Sequence, residues 1–250
     1  MIEVLTILII VLAGLIRGAF GFGDALVAMP LLALIVPPTT AAPTVALAAL
    51  LISVVILLRE WRHIEFTSTA VLTVSGLVAI PFGVQFLQSG DDRIVKAILG
   101  IVVAGFAVWS LWHPDRFSLK TDWSAPLFGI LAGLLGGAYN TSGPPLVIYG
   151  TLRRWTPQQF RASLQGYCLL GSVWTLTWHS AEGLITHSIL RHFAIAAPFI
   201  VLATVIGQRL TRDVATVRFI RWIFIALLLV GTWLLLSCLP RFTVDNTGAP

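Results

Sequence analysis

The sequence predicts an all-α polytopic membrane protein. It would be built from two inverted repeats, each a broken or re-entrant helix pair plus three transmembrane helices. Three observations carry this. Hydrophobic residues make up 57% of the 250-residue chain and charged residues only 11%, with a mean hydropathy of +0.92. An average soluble domain carries roughly 25% charged residues, so this chain lacks the polar groups to cover itself in water. The charges also punctuate apolar runs of spanning length. Finally, two of those runs, in corresponding places of the two halves, are broken by clustered Gly and Pro. Disorder, a coiled coil and a cytosolic enzyme are excluded.

The elements follow in order. Val4 to Ala19 is apolar apart from Thr6 and Arg17, and Gly21-Phe22-Gly23-Asp24 interrupts it. A second apolar part, Ala25 to Val36, ends at Pro37-Pro38, and each part is short for a full span. Ala41 to Leu58, Phe66 to Leu87 and Ile94 to Trp112 read as spans. Ser124 to Ile148 again has a broken centre, running from Gly136 to Pro145. Ala162 to Trp178, Ile189 to Gln208 and Phe219 to Leu239 complete the set. The domain division is 1–115 and 116–239, with a short polar tail at 240–250. A shift of 115 residues lays Gly14 on Gly129, Gly18 on Gly133, Gly21 on Gly136 and Pro30 on Pro145. Paired interruptions of this kind point to a transporter's binding site. Close packing of small residues in membrane helices is the competing explanation.

Charge decides between two topologies. If both broken segments cross, Lys and Arg split six against nine. If both re-enter, Arg59, Arg62, Arg116, Lys120, Arg153, Arg154, Arg161, Arg209, Arg212, Arg218 and Arg221 share one side. Arg93, Lys96, Arg191 and Arg241 take the other, a split of eleven against four. Cytoplasmic loops collect basic residues, so the larger asymmetry favours hairpins, with both termini outside the cytoplasm. Each repeat then crosses an odd number of times, which inverts the second relative to the first. The formal charge of +5 has the same origin and does not indicate nucleic acid.

Arg17 and Asp24 are costly in a spanning segment, about 2.5–3.5 kcal/mol each at its centre on insertion scales. Arg17 has the donor fork to bind an anion; Asp24 suits a coupling proton or cation. The alternatives are an Arg17–Asp24 pair that closes the hairpin tip, or an Arg17 that snorkels to an interface. Tyr139, Asn140, Thr141 and Ser142, bounded by Gly137 and Gly143, supply four hydrogen-bonding side chains in succession. They suit either an anion at a half-helix N-terminus or plain capping. Gly21, Phe22 and Gly23 form the matching stretch, and Gln165 is a further donor. Pro30, Gly136, Gly137, Pro144 and Pro145 are candidate hinges. Tyr167 and Trp174 lie on the same span as Gln165. His179 is the one candidate proton-relay histidine. Trp61, Trp123, Trp155 and Trp222 read as interfacial anchors. Neither Cys168 nor Cys238 has a CxxC partner, no histidines have metal spacing, and no HExxH, GxSxG or Walker loop occurs. No enzyme, metal or cofactor is therefore expected.

The stretch Gly133 to Gly150, with its Gly143-Pro144-Pro145, resembles the sulfite exporter TauE/SafE family, also called the TSUP family of membrane transporters. Trp155-Thr156-Pro157 and Phe160-Arg161-Ala162 are also similar to family members. Gly18 to Asp24 with Pro30 looks like the family's N-terminal glycine motif, with Phe22 and Asp24 where small residues are usual. The likeness runs from about Leu5 to Leu239. It implies a secondary transporter in the inner or plasma membrane. The anions associated with the family are sulfite, organosulfonates such as sulfoacetate, and related oxyanions or organic acids, and the direction it implies is export. A passive anion channel and a non-transporting membrane scaffold subunit are the rival readings.

Overall fold

A computed structural model describes residues 2–112, 119, 121–214 and 217–238. The tail Pro240–Pro250, His113, Arg116, Lys120 and Arg241 lie outside the described residues, as do the side chains of Arg212, Arg218, Arg221, Trp222 and Cys238. Ten α-helices are described: α1 (Ile2–Phe20), α2 (Asp24–Ala33), α3 (Pro38–Glu60), α4 (Phe66–Ser89), α5 (Asp92–Trp112), α6 (Ala125–Tyr139), α7 (Gly143–Leu152), α8 (Pro157–Ala181), α9 (His187–Val214) and α10 (Val217–Cys238). Among the described residues, five helices are long and apolar enough to cross a membrane: α1, α3, α4, α5 and α9. α8 has the length, but Gln158, Gln159, Arg161 and Gln165 dilute it, and of these Gln165 is buried. The lipid-facing exterior is apolar, with Val74, Val78 and Phe82 on α4 and Ile195, Phe199 and Leu202 on α9 exposed. A soluble protein would not tolerate so broad an apolar surface.

The order of five elements repeats, α1–α5 and then α6–α10. The register differs from the glycine match above by one helical turn. Asp24 and Gly143 both open a ten-residue half-helix, and Pro38 and Pro157 both open the next helix. Gly14 therefore corresponds to Gly133 and Gly18 to Gly137, not to Gly129 and Gly133. The misregister has a physical origin. Gly129, Gly133 and Gly137 recur every four residues along one helix face, so a slip of one turn still superposes glycines.

Those glycines set the helix pairing. α1 runs alongside α9 in the same direction, with Gly14 against Ile200 and Thr204, and Gly207 against Leu15 and Ala19. α6 runs alongside α4 in the same way, with Gly129, Gly133 and Gly137 against Leu72, Gly76 and Ile80 in turn. Each half thus packs its first helix on the fourth helix of the other half. At Gly18, Gly83, Gly133, Gly137 and Gly207 an added Cβ would run into the neighbouring backbone. This is the small-residue packing by which membrane helices associate. The corresponding helices α3 and α8 meet each other at the centre, and α5 meets α10.

Both broken segments are antiparallel hairpins. Gly21 (φ 81°) and Gly23 (φ 98°) adopt left-handed backbone that a side chain disfavours, which stops α1 and starts α2. Asn140 (φ 52°) makes the same turn between α6 and α7. The start of α1, the end of α2 and the starts of α3 and α9 together line a cavity of about 200 Å³ that includes Glu3, Thr6, Leu32, Thr40 and His192. The base of the second hairpin is instead clamped. Asp122, just before α6, accepts from Tyr149 at the end of α7 and from Ser68 at the start of α4, and pairs with Arg153.

The Tyr149 hydroxyl, with Ser68 and Arg153 adding to it, holds the Asp122 carboxyl below its ordinary range against a partial burial that opposes. A depressed carboxylate stabilises above its unfolded-state pKa and loses that contribution as pH falls through its folded-state value. Asp122→Asn is expected to lower the melting temperature at neutral pH and to flatten its fall under acid. Thermal unfolding in detergent across that range measures both.

Candidate functional site

The two hairpin tips meet. Arg17 and the stretch from Phe22 to Leu26 line one small cavity together with Gly136, Asn140, Thr141, Ser142 and Gly143. Its volume is about 20 Å³, room for about one water molecule. α8 forms the remaining wall through Leu164, Tyr167, Cys168, Gly171, Ser172 and Thr175, with Ala49 of α3 and Ile80 of α4. The N-termini of α2 and α7 both open here, so two positive dipole ends converge on one space. α2 leaves the N–H groups of its first turn free for it. α7 offers fewer, because Pro144 and Pro145 occupy its first turn and carry no N–H.

Arg17 sits at the centre, only 2% exposed. Its Nη1 donates to Asp24 at 2.6 Å, its Nη2 to Ser53 at 2.8 Å and to Gln165 at 2.8 Å, and its Nε to Gln165 at 3.1 Å. Gln165 in turn donates to the Gly21 carbonyl at 2.7 Å. Four of the five guanidinium donors are thus engaged, and the one-to-one pair leaves the site without net charge. This burial rules out snorkelling. The Arg17–Asp24 pair closes the tip of the first hairpin and pins it through Ser53 to α3 and through Gln165 to α8.

The second tip is held more loosely. Thr141 Oγ1 donates within its own turn, to the Tyr139 carbonyl at 3.0 Å, which is a capping role. Ser142 Oγ meets Cys168 Sγ at 3.7 Å, a weak contact. Asn140 and Ser142 therefore keep polar capacity facing the cavity.

Other expected residues lie elsewhere. Tyr139 does not line the cavity; its hydroxyl donates to the Val95 carbonyl on α5 at 2.9 Å. Gln165 and Gly21 act on the site through Arg17 rather than by lining it. Phe22, which does line the cavity, also packs edge-on between Phe106 and Phe160. Of the expected hinges, Gly137 is a contact point against the Ile80 carbonyl, Pro144 and Pro145 open α7, and Pro30 is buried inside α2. His179 is fully buried beside the Gly137 carbonyl, 3.4 Å from its Nε2, away from the cavity. Trp174 donates to the Leu77 carbonyl.

Ser53, Cys168, Ser172 and Thr175 belong to the site and escaped the sequence reading. One signal was available: in the correct register Ser53 corresponds to Ser172, a buried serine in the same turn of both central helices.

Known proteins match along this whole architecture. The sequence family described as sulfite exporter TauE/SafE matches residues 6–234. A probable sulfite/organosulfonate exporter TauE from Cupriavidus necator is 24% identical over 212 residues, covering 83% of each chain. No solved structure gives a significant match. A family match over this much of the chain means that it is a multi-pass membrane protein belonging to the sulfite exporter TauE/SafE family of membrane transporters.

Proposed function

We propose that the chain is a secondary transporter of a small oxyanion, sulfite or an organosulfonate, which it exports by alternating access. One observation carries this reading. Two ten-residue half-helices, entering from opposite ends, direct their N-termini into a single small cavity. The two halves are then inverted across the membrane, each with one re-entrant hairpin and three crossings, as the eleven-to-four charge split favours. Non-helical backbone at membrane depth is tolerable there because the tips cover each other.

The anion's ligands are neutral. Asn140, Ser142, Ser172 and Thr175 offer side-chain donors, and the first turn of α2 offers backbone N–H groups. Arg17, already paired with Asp24, positions the first tip. At about 20 Å³ the cavity must widen to admit a sulfur oxyanion, so binding and opening are linked. The named relative, a probable sulfite/organosulfonate exporter, supports the substrate class and the direction.

Uptake of labelled sulfite into proteoliposomes, with and without a pH gradient, tests this. Saturable uptake above empty liposomes is expected, changing with the gradient if a proton is coupled. Flux that neither saturates nor responds to a gradient would favour a channel. Folded protein that moves and binds neither sulfite nor sulfonates would overturn the reading in favour of a scaffold.

A further inference from the structure

The seam between α4 and α8 contains three hydroxyls for which the protein supplies no partner. Thr69 Oγ1, Thr73 Oγ1 and Tyr167 Oη make no hydrogen bond, and their residues are 7%, 5% and 3% exposed. Native interiors rarely leave such groups bare; where several gather, water pairs them.

These hydroxyls form one stripe. Positions 69, 73, 76 and 80 share a face of α4. Thr69 packs on Gly166 of α8, Gly76 lies against the Tyr167 hydroxyl, and Ile80 approaches Gly171. Tyr167 and Ile80 line the central cavity, so the stripe ends at the site. It begins about 16 Å away along the helix. There Ser68 donates to Asp122 at 2.7 Å and the Glu65 N–H to Ser163 at 2.9 Å. That end carries Arg59 and Arg62 at the end of α3 and Arg153, Arg154 and Arg161 around the start of α8; Arg153 pairs with Asp122 and Arg161 with Glu60, which still leaves a basic excess.

The matching seam between α3 and α9 has no such stripe. Aligning Gly207 with Gly83 puts Phe193, Ala197 and Ile200 where α4 has Thr69, Thr73 and Gly76. Aligning Pro38 with Pro157 puts Ala48 where α8 has Tyr167. The architecture is repeated, but only one copy of this seam is polar.

We propose that the α4–α8 seam is a hydrated access path joining the central cavity to the cytoplasmic face, along which a small oxyanion moves on neutral hydroxyl donors. This rests on the transport reading above. Neutral donors suit a path, because they bind weakly enough to release an anion to the next site, while the arginines at the mouth concentrate it.

Cys168, which lines the cavity, is a native reporter at the inner end. The test uses the full chain with Cys238→Ser, in membrane vesicles of both orientations, and a membrane-impermeant, sulfonate-bearing methanethiosulfonate. Cys168 is expected to react from the cytoplasmic face and much more slowly from the other. Thr73→Val, of the same shape but without the hydroxyl, is expected to slow that reaction about ten-fold, as expected for one lost hydrogen bond to water. Thr73→Ser, which keeps the hydroxyl, is expected to preserve it, and Thr73→Cys to add a thiol that also reacts from the cytoplasmic face. Equal rates from both faces, a Thr73→Val rate like wild type, or a Cys168 that reacts only after unfolding would each overturn the path. Methanesulfonate, which unlike sulfite does not consume the thiosulfonate, separates this from the transport reading. Protection of Cys168 by methanesulfonate supports both proposals; cytoplasmic-face reaction that methanesulfonate does not slow keeps the path and removes a sulfonate as its solute.

Discussion

Asp24→Ala is expected to destabilise the folded protein by about 3–5 kcal/mol, because it strands the Arg17 guanidinium in a buried site with no opposite charge. Arg17→Ala should cost as much for the mirror reason, and it also frees Gln165 and Ser53 from their bonds to the guanidinium. The informative variant is the double. Arg17→Met with Asp24→Leu removes both charges and their desolvation together, so it is expected to recover most of the loss. Thermal unfolding in detergent of the wild type, Arg17→Met, Asp24→Leu and the double variant gives the coupling energy. Strictly additive losses would mean that the 2.6 Å pair contributes nothing as a pair. Transport by the double variant then assigns the role. Residual turnover fits an Arg17 that only closes the tip. A stable, inactive double variant would instead make the guanidinium a direct ligand of the anion.

Much of this was legible because the bilayer imposes few solutions. Long apolar runs between charges had to be helices, and glycine clusters at Gly21–Gly23 and Gly136–Gly143 had to be breaks. The basic residues favoured re-entry, which is part of the proposal above; the helices themselves show that α1/α2 and α6/α7 fold back as antiparallel pairs. The repeat register was not legible from glycines alone, since a four-residue packing period is blind to a shift of one turn. It becomes fixed only by the half-helix starts Asp24 and Gly143 and by Pro38 and Pro157. Arg17 and Asp24 stood out because charge is rare in such a segment. Ser53, Ser172 and Thr175 did not, because a lone hydroxyl on a membrane helix commonly bonds its own backbone, as Ser53 also does to Ala49. The direction of Tyr139 was invisible for another reason. Its neighbours Asn140 and Ser142 face the cavity, but Tyr139 is still helical, and that turn aims it at α5.

Two glycines six residues apart, Gly137 and Gly143, separate packing from binding. At Gly137 an added Cβ would meet the backbone of Ile80 and Val84, which cannot move without shifting α4. Gly137→Leu is therefore expected to cost at or beyond the upper end of the about 1–3 kcal/mol usual for overpacking, and to abolish the folded species. At Gly143 nothing lies within 4 Å of the added atom and the backbone is ordinary, so Gly143→Ala is expected to fold and melt like wild type. That methyl nevertheless enters the face of the cavity where the α7 N-terminus opens. The expected result is an unchanged melting temperature with a raised KM for the transported anion. Size-exclusion profiles and melting curves test the first expectation, and concentration-dependent uptake the second. A Gly137→Leu protein that folds normally would contradict the α4–α6 packing. A Gly143→Ala protein with wild-type KM would move the anion away from the second tip.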